Sequence, residues 1–308
     1  MIKTVTDARK ALKGVIAIAA VPFDQEGKVD FKQFENLVDR LARGTGVTGL
    51  CLFGMVSEFH KLDDYEKAAL VSIFLDVLRD YPEVLSMISV TDWSTEMAVR
   101  RAKEYERLGA DALMLLPPFY FNPDVSEIRN HMIRVLEAVE IPVVLQYAPQ
   151  ATGCHMPEQE LIDMAERYPH AAFKIEYKPA RDYLAAFLRQ KSDMTILTGY
   201  AGLEMVDLYE LGVAGVMPAC SFPELYVEIT RRFISGDLPG ARALYAALEK
   251  YLVSWMLSPE SLLAIEKEIL TRRGWLASGA CRRPAYRLTK ENQREIDAFL
   301  QEFAPYLS

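Results

Sequence analysis

The 308-residue sequence carries a formal net charge of −8, which argues against nucleic acid or an anionic membrane surface as a partner. Hydrophobic residues make up 51% and charged residues 25%, the balance of a soluble globular protein with room for a sizeable core. Cys51, Cys154, Cys220 and Cys281 are far apart and form no CxxC pair, so neither a disulfide framework nor a zinc cluster is expected, and a reducing cytoplasm fits. The opening stretch MIKTVTDARKALKG has no apolar core of a signal peptide, and no apolar run approaches the roughly 20 residues that span a bilayer. A cytoplasmic location is the expectation.

Apolar, β-rich runs recur along the chain, at 15–21 (VIAIAAV), 47–53 (VTGLCLF), 85–90 (LSMISV), 111–116 (DALMLL), 142–148 (PVVLQYA), 171–177 (AAFKIEY), 194–199 (MTILTG) and 212–219 (GVAGVMPA). Amphipathic stretches such as FKQFENLVDRLARG and TEMAVRRAKEYERLG lie between them. Near-continuous apolar strands suit a sheet covered on both faces, and this many β/α units predict a (β/α)8 barrel rather than an open doubly wound sheet. The chain has neither a GxGxxG after its first strand nor a GxxxxGK[ST], which weakens nucleotide-binding readings. After residue 220 come four helical segments with no strand between them: ELYVEITRRFISGD, GARALYAALEKYLVSWM, SLLAIEKEILTRRG and TKENQREIDAFLQEF. The first completes the eighth unit. The expected organisation is therefore a barrel over residues 1–232 and a helical extension over 233–308 packed on it.

One lysine stands inside the apolar run at 171–177. If Phe173 and Ile175 face the helices, Lys174 and Glu176 face the lumen, late in strand six and near the C-terminal mouth where such barrels carry their chemistry. A partly desolvated amine there has a lowered pKa and can attack a carbonyl to form a Schiff base. A structural Lys174–Glu176 pair, or a lysine snorkelling to the surface, is the alternative. His60, His131, His155 and His170 show no ligand spacing and read as structural or surface residues, so no metal site is expected. The acidic segment EFHKLDDYEK reads as a helix start.

The motifs around Lys174 resemble the pyruvate-dependent class I aldolase and lyase family that includes dihydrodipicolinate synthase and N-acetylneuraminate lyase. The resemblance runs from about residue 14 to about 285. It rests on VPFDQEGKVDFKQFENLVDRL, GVTGLCLFGMVSE, LGADALMLLPPFYFNP, IPVVLQYAPQATG, FKIE and LTGYAGLEMVDLYELGVAGVMPACSFPE, in the family's order. It implies Lys174 as the nucleophile toward a small 2-oxo acid or sugar acid, no cofactor, and a homotetramer or homodimer. Tyr120 matches the tyrosine that reaches a neighbouring subunit's site, with a core or interface aromatic as its other reading. Gly199 and Met217 match positions that line the pocket through backbone, and Ser221 lies just past strand eight.

Several positions depart from the family pattern. Where it has GTTGE, whose hydroxyls bind the oxo-acid carboxylate and relay a proton, this chain reads Gly54, Met55, Val56, Ser57 and Glu58. Backbone amides after Gly54 could still hold a carboxylate, and Ser57 is the hydroxyl left to assist, or else a turn serine. Where strand five carries tyrosine then asparagine, the chain reads Gln146, Tyr147 and Ala148. Either Gln146 faces the site or a bulge turns Tyr147 inward, and Gln146 is preferred. Glutamine is no general acid at neutral pH, which leaves Glu176 as a candidate for proton transfer. The arginine that synthases use for a second carboxylate is Ala151 here. These departures resemble the 2-keto-3-deoxy sugar-acid dehydratase branch, especially L-2-keto-3-deoxyarabonate dehydratases. The alternatives are an aldolase of the N-acetylneuraminate lyase or 2-keto-3-deoxygluconate type, a dihydrodipicolinate synthase, a barrel that binds an oxo acid without catalysis, and a metal-dependent aldolase.

Overall fold

A computed structural model describes residues 12–191, 193–256 and 258–307. The first eleven residues of the opening stretch read above lie outside them. Eight parallel strands close into a barrel in chain order: β1 (Gly14–Ile18), β2 (Gly49–Leu52), β3 (Leu85–Ser89), β4 (Ala112–Leu115), β5 (Val143–Tyr147), β6 (Ala171–Ile175), β7 (Ile196–Thr198) and β8 (Gly215–Val216). Every residue in them is buried, as a sheet sealed by helices on one face and filled by its own side chains on the other requires.

The helices follow their local chemistry. In α1 (Phe31–Gly44), buried Phe34, Leu37, Val38 and Leu41 recur at helical spacing, and Asp30 caps the first turn by accepting the Gln33 N–H at 3.0 Å. The acidic segment starts α2 (Asp64–Leu78) through a capping box, Asp63 accepting from the Glu66 backbone and Glu66 from that of Asp63. Then come α3 (Thr95–Leu108), ended by Gly109 at φ 100°, α4 (Val125–Leu136), the single turn α5 (Pro149–Thr152), α6 (Glu158–Arg167), α7 (Ala180–Gln190) and α8 (Met205–Glu210). The four C-terminal segments form α9 (Pro223–Ile234), α10 (Leu238–Trp255), α11 (Pro259–Arg272) and α12 (Lys290–Phe303).

By proximity of backbone, Leu85–Val216 make one compact unit and Val15–Val84 with the chain from Met217 onward make another, so the C-terminal helices group with β1 and β2. In that second unit an aromatic cluster ties the extension to the start of α9. The Phe299 ring lies 4.8 Å from Phe222, 5.0 Å from Trp255, 5.3 Å from Tyr251 and 5.0 Å from Phe303.

The ladders are shorter than the apolar runs. The run at 212–219 is paired only at Gly215–Val216, and the run at 15–21 only as far as Ile18, although Ala19–Val21 and Met217–Ala219 are equally buried. Apolarity reports burial, whereas a ladder needs a partner in register, and near the mouth the chain leaves the sheet while staying covered. Ile18 still pairs with Ala219 as an isolated bridge, its N–H donating to the Pro218 carbonyl at 2.8 Å.

Candidate active site

Lys174 sits on β6 with 4% of its surface exposed, and its ammonium must find a partner inside the protein. Glu176, two residues on, supplies it: Lys174 Nζ lies 3.2 Å from Glu176 Oε1. The same oxygen accepts the Tyr200 N–H at 3.2 Å, and Oε2 accepts Gln146 Nε2 at 2.6 Å. Burial pushes the Glu176 carboxyl up, but the Lys174 charge, the Gln146 amide and the Tyr200 N–H outweigh it and hold the group below its ordinary value. The Glu176 side chain is therefore a carboxylate at neutral pH, beside Lys174 Nζ. It is placed to take a proton from that amine or from an adduct formed on it.

The register explains why Gln146 and not Tyr147 joins this group. β5 and β6 pair without interruption from Val143↔Ala171 to Tyr147↔Ile175, which sets Gln146 beside Lys174 and leaves no bulge to turn the tyrosine. Tyr147 faces the helix layer. Its hydroxyl donates to the Met156 carbonyl at 3.2 Å, and its ring stacks 6.2 Å from Tyr183 of α7. The structure thus turns Tyr147 away from Lys174 and brings Lys174, Glu176 and Gln146 together. Tyr120 is not among them. It lies 64% exposed in the loop after β4, 4.5 Å from the Phe121 ring and 6.1 Å from Trp93.

Gly199 has a role the sequence did not reveal. Its φ of −108° demands no glycine, but a Cβ built there would lie 1.9 Å from Glu176 Oε1 and 2.5 Å from its Cδ. The missing side chain is the space the carboxylate occupies. A lining position expected to act through its backbone acts here through its emptiness.

In the other unit, the residues of the family's hydroxyl motif form a single 3-10 turn, Met55–Ser57, after β2. A Cβ on Gly54 would come within 2.6 Å of Ile18 Cγ2, so the turn packs closely on β1. Met55 is 41% exposed and Val56 is buried, while Ser57 is wholly buried and donates its hydroxyl proton to the Ala19 carbonyl at 2.6 Å. Ser57 serves as an anchor of the turn, and its only proton is already committed. Glu58 closes the turn and is buried against Lys267 of α11, at 2.5 Å, and Lys61, at 3.0 Å. Sequence reasoning passed over this pair. Its signal was a charged Lys267 inside SLLAIEK, a stretch of α11 in which every residue from Ser261 to Lys267 is buried.

Met217 is 2% exposed and Ser221 is fully buried at the start of α9, where Arg273 donates to its carbonyl and pairs with Glu224 at 2.5 Å. Beside Ser221 lies Glu266, enclosed on α11, whose carboxyl burial pushes up to about 7. His131, pushed down to about 4 by burial, meets Thr95 Oγ1 at 3.0 Å, and His170 Nε2 meets the Leu136 carbonyl at 3.0 Å, so both are tied into the scaffold. All four cysteines are free thiols, and among the described residues no group of three or more His, Cys, Asp and Glu side chains could hold a metal ion. Among the same residues no helix is long and apolar enough to cross a membrane.

A closed parallel barrel with a buried lysine on its sixth strand, paired to a carboxylate, has the form of a class I lyase. The sequence model of the Dihydrodipicolinate synthetase family matches residues 11–303, and the chain belongs to that family. Its members are pyruvate-dependent lyases of the class I aldolase type, and this chain is an enzyme of that kind. It is 28% identical over 292 residues to the 4-hydroxy-tetrahydrodipicolinate synthase of Moorella thermoacetica, covering 94% of this chain and 97% of that one. To the Methanopyrus kandleri protein of the same name it is 29% identical over 242 residues, 77% of this chain and 79% of the other. Among solved structures, dihydrodipicolinate synthase from Rhodopseudomonas palustris superposes with a TM-score of 0.85 at 25% identity, covering 95% of this chain and 98% of the other.

Two substitutions check this geometry. Gly199→Ala should displace the Glu176 carboxylate and slow turnover by roughly tenfold to a hundredfold, while Gly44→Ala, where a Cβ meets nothing within 4 Å, should leave the rate unchanged. Glu266 binds its proton more tightly folded, with a value of about 7, than unfolded at 4.5, so native stability should fall as pH rises across that window. Denaturant unfolding at pH 5 and pH 8 should show Glu266→Gln losing that slope, worth roughly 3 kcal/mol at 1.36 kcal/mol per unit. An equal slope in both proteins would place the titration elsewhere.

Proposed function

We propose that the chain is a Schiff-base lyase that dehydrates a 2-keto-3-deoxy sugar acid, with Lys174 as nucleophile and Glu176 as the proton carrier. The observation that carries this reading is the Glu176 carboxylate held 3.2 Å from Lys174 Nζ and 2.6 Å from the amide of Gln146, which stands where the family has tyrosine. Glu176 takes a proton from the Lys174 ammonium, and the free amine attacks the C2 carbonyl. Glu176 gives that proton back as the C2 oxygen leaves as water, so a protonated imine forms and Glu176 is a carboxylate again. The imine draws electrons from C3, Glu176 removes the C3 proton, and the enamine expels the C4 hydroxyl as water with that proton returned. Hydrolysis of the imine frees the product and the lysine. Gln146 cannot donate a proton as an acid, so it orients the carboxylate. A homodimer or homotetramer is part of the same proposal.

A second reading has its own support, because the curated relatives cited above are named 4-hydroxy-tetrahydrodipicolinate synthase. Against it stands Ala151, an exposed residue of α5 where the synthases carry their carboxylate-binding arginine. Proton NMR of reaction mixtures separates the two. With a 2-keto-3-deoxypentonate, the dehydratase reading expects substrate loss without pyruvate release, and a fall of about 10²–10⁴-fold in Glu176→Gln. Pyruvate release would make the enzyme an aldolase. Turnover only of pyruvate with aspartate semialdehyde would make it a synthase.

A further inference from the structure

The turn after β7 runs against its own backbone preference. Tyr200 and Ala201 adopt the left-handed region at φ 47° and 54°, and Glu204 does so at φ 62°. Residues with side chains occupy that region at a cost, so a run of them persists only where something outside the turn holds it. Inside the turn, the Gly202 N–H donates to the Gly199 carbonyl at 2.8 Å and the Leu203 N–H to that of Tyr200 at 3.1 Å. The outside hold comes from α7. Glu204 Oε1 accepts the Ala180 N–H at 3.3 Å and Oε2 accepts the Arg181 N–H at 3.1 Å, the first two amides of that helix. Pro179 at the N-cap offers no side-chain acceptor, so the Glu204 carboxylate supplies what the helix start lacks. A second hold is Lys178. Its N–H and carbonyl pair with the Gln150 side-chain amide at 2.8 and 2.7 Å, and its ammonium lies 4.5 Å from the centre of the Tyr200 ring.

This turn carries one of the donors on Glu176. The carboxylate is met by Lys174 from its own strand, by the Gln146 amide from β5 and by the Tyr200 N–H from the turn. The Tyr200 phenol is close enough to feel the same group: burial, and then the Glu176 charge, push it up. Lys174 and Gln146 are set by the β5–β6 ladder, which pairs them directly. The Tyr200 amide belongs to no ladder. A side-chain donor can follow an acceptor by rotating, whereas a backbone amide is aimed by whatever holds its turn. Its bond favours the charged form of Glu176 and helps to keep that group a carboxylate.

We propose that Glu204 is a positioning residue: by binding the start of α7 it holds the turn after β7 so that the Tyr200 amide stays on Glu176. The proposal rests on the role of proton carrier given to Glu176 under the proposed function. Glu204 touches no substrate and acts through Tyr200.

The test follows deuterium exchange into the methyl group of pyruvate by proton NMR in D2O, over a range of pD, with thermal melting alongside. On the proposed route pyruvate forms the imine on Lys174, Glu176 removes a C3 proton, and the enamine takes a deuteron back. Exchange therefore slows where Glu176 becomes protonated. In Glu204→Ala the charged form loses the support of the Tyr200 amide, so the acid limb of the rate at low pyruvate should move up by about one pH unit. Glu204→Gln keeps one oxygen for the helix start and should show a smaller rise in the same direction. A role confined to capping α7 would lower the melting temperature of Glu204→Ala and leave the limb at the parent value. That result would overturn the proposal, as would an unmoved limb in Glu204→Gln where the alanine variant does not fold. No exchange in the parent enzyme, or a parent-like rate in Glu176→Gln, would instead overturn the proton-carrier reading, and the positioning role with it.

Discussion

An ammonium on a strand buried on both faces has to be neutralised where it stands, and the active-site group follows from that constraint. Lys174 is almost wholly buried near the end of β6, so the next lumen-facing position, Glu176, carries its counter-charge. A buried carboxylate in turn needs donors, which β5 and the turn after β7 provide through Gln146 and the Tyr200 N–H. It also needs volume, which Gly199 concedes. Removing any of these leaves a charge unpaired or a carboxylate with nowhere to sit. The arrangement that makes the lysine tolerable as a structural element also sets a carboxylate beside the amine that the proposed function makes the nucleophile.

The chain carries a second buried pair of the same kind, Glu58–Lys267, serving a different end. Under the proposed function, both charges of the first pair take part in proton transfer with a bound carbonyl compound. In the second, each partner is enclosed by further bonds: Lys61 and Arg282 on the carboxylate, Ala280 and the Phe23 ring on the amine. An ion pair so enclosed exchanges no proton with a ligand and works as a fastening.

Much of the fold was legible because apolar runs and amphipathic stretches alternate with the period each element demands, and the four C-terminal segments match α9–α12 closely. Lys174 was legible for a related reason: a charge inside an apolar run is conspicuous. The strand ends were not, since Ala19–Val21 and Met217–Ala219 are as apolar as the paired residues and differ only in having left the ladder. The orientation of Gln146 and Tyr147 turned on one residue of parity, which the uninterrupted β5–β6 register decided. Gly199 and Lys267 were hidden for opposite reasons. The glycine acts by leaving room, which no local pattern records, and the lysine pairs with a residue 209 positions away.

The central claim is that Lys174 is a nucleophile and not merely one half of a structural pair. Peptide mass mapping after borohydride reduction in the presence of pyruvate tests it most directly. The account predicts a reduced pyruvyl adduct on the peptide carrying Lys174 and on no other lysine, absent from Lys174→Ala. A parent enzyme left unmodified by pyruvate and by every 2-keto-3-deoxy acid tried, or modified on a different lysine, would contradict it.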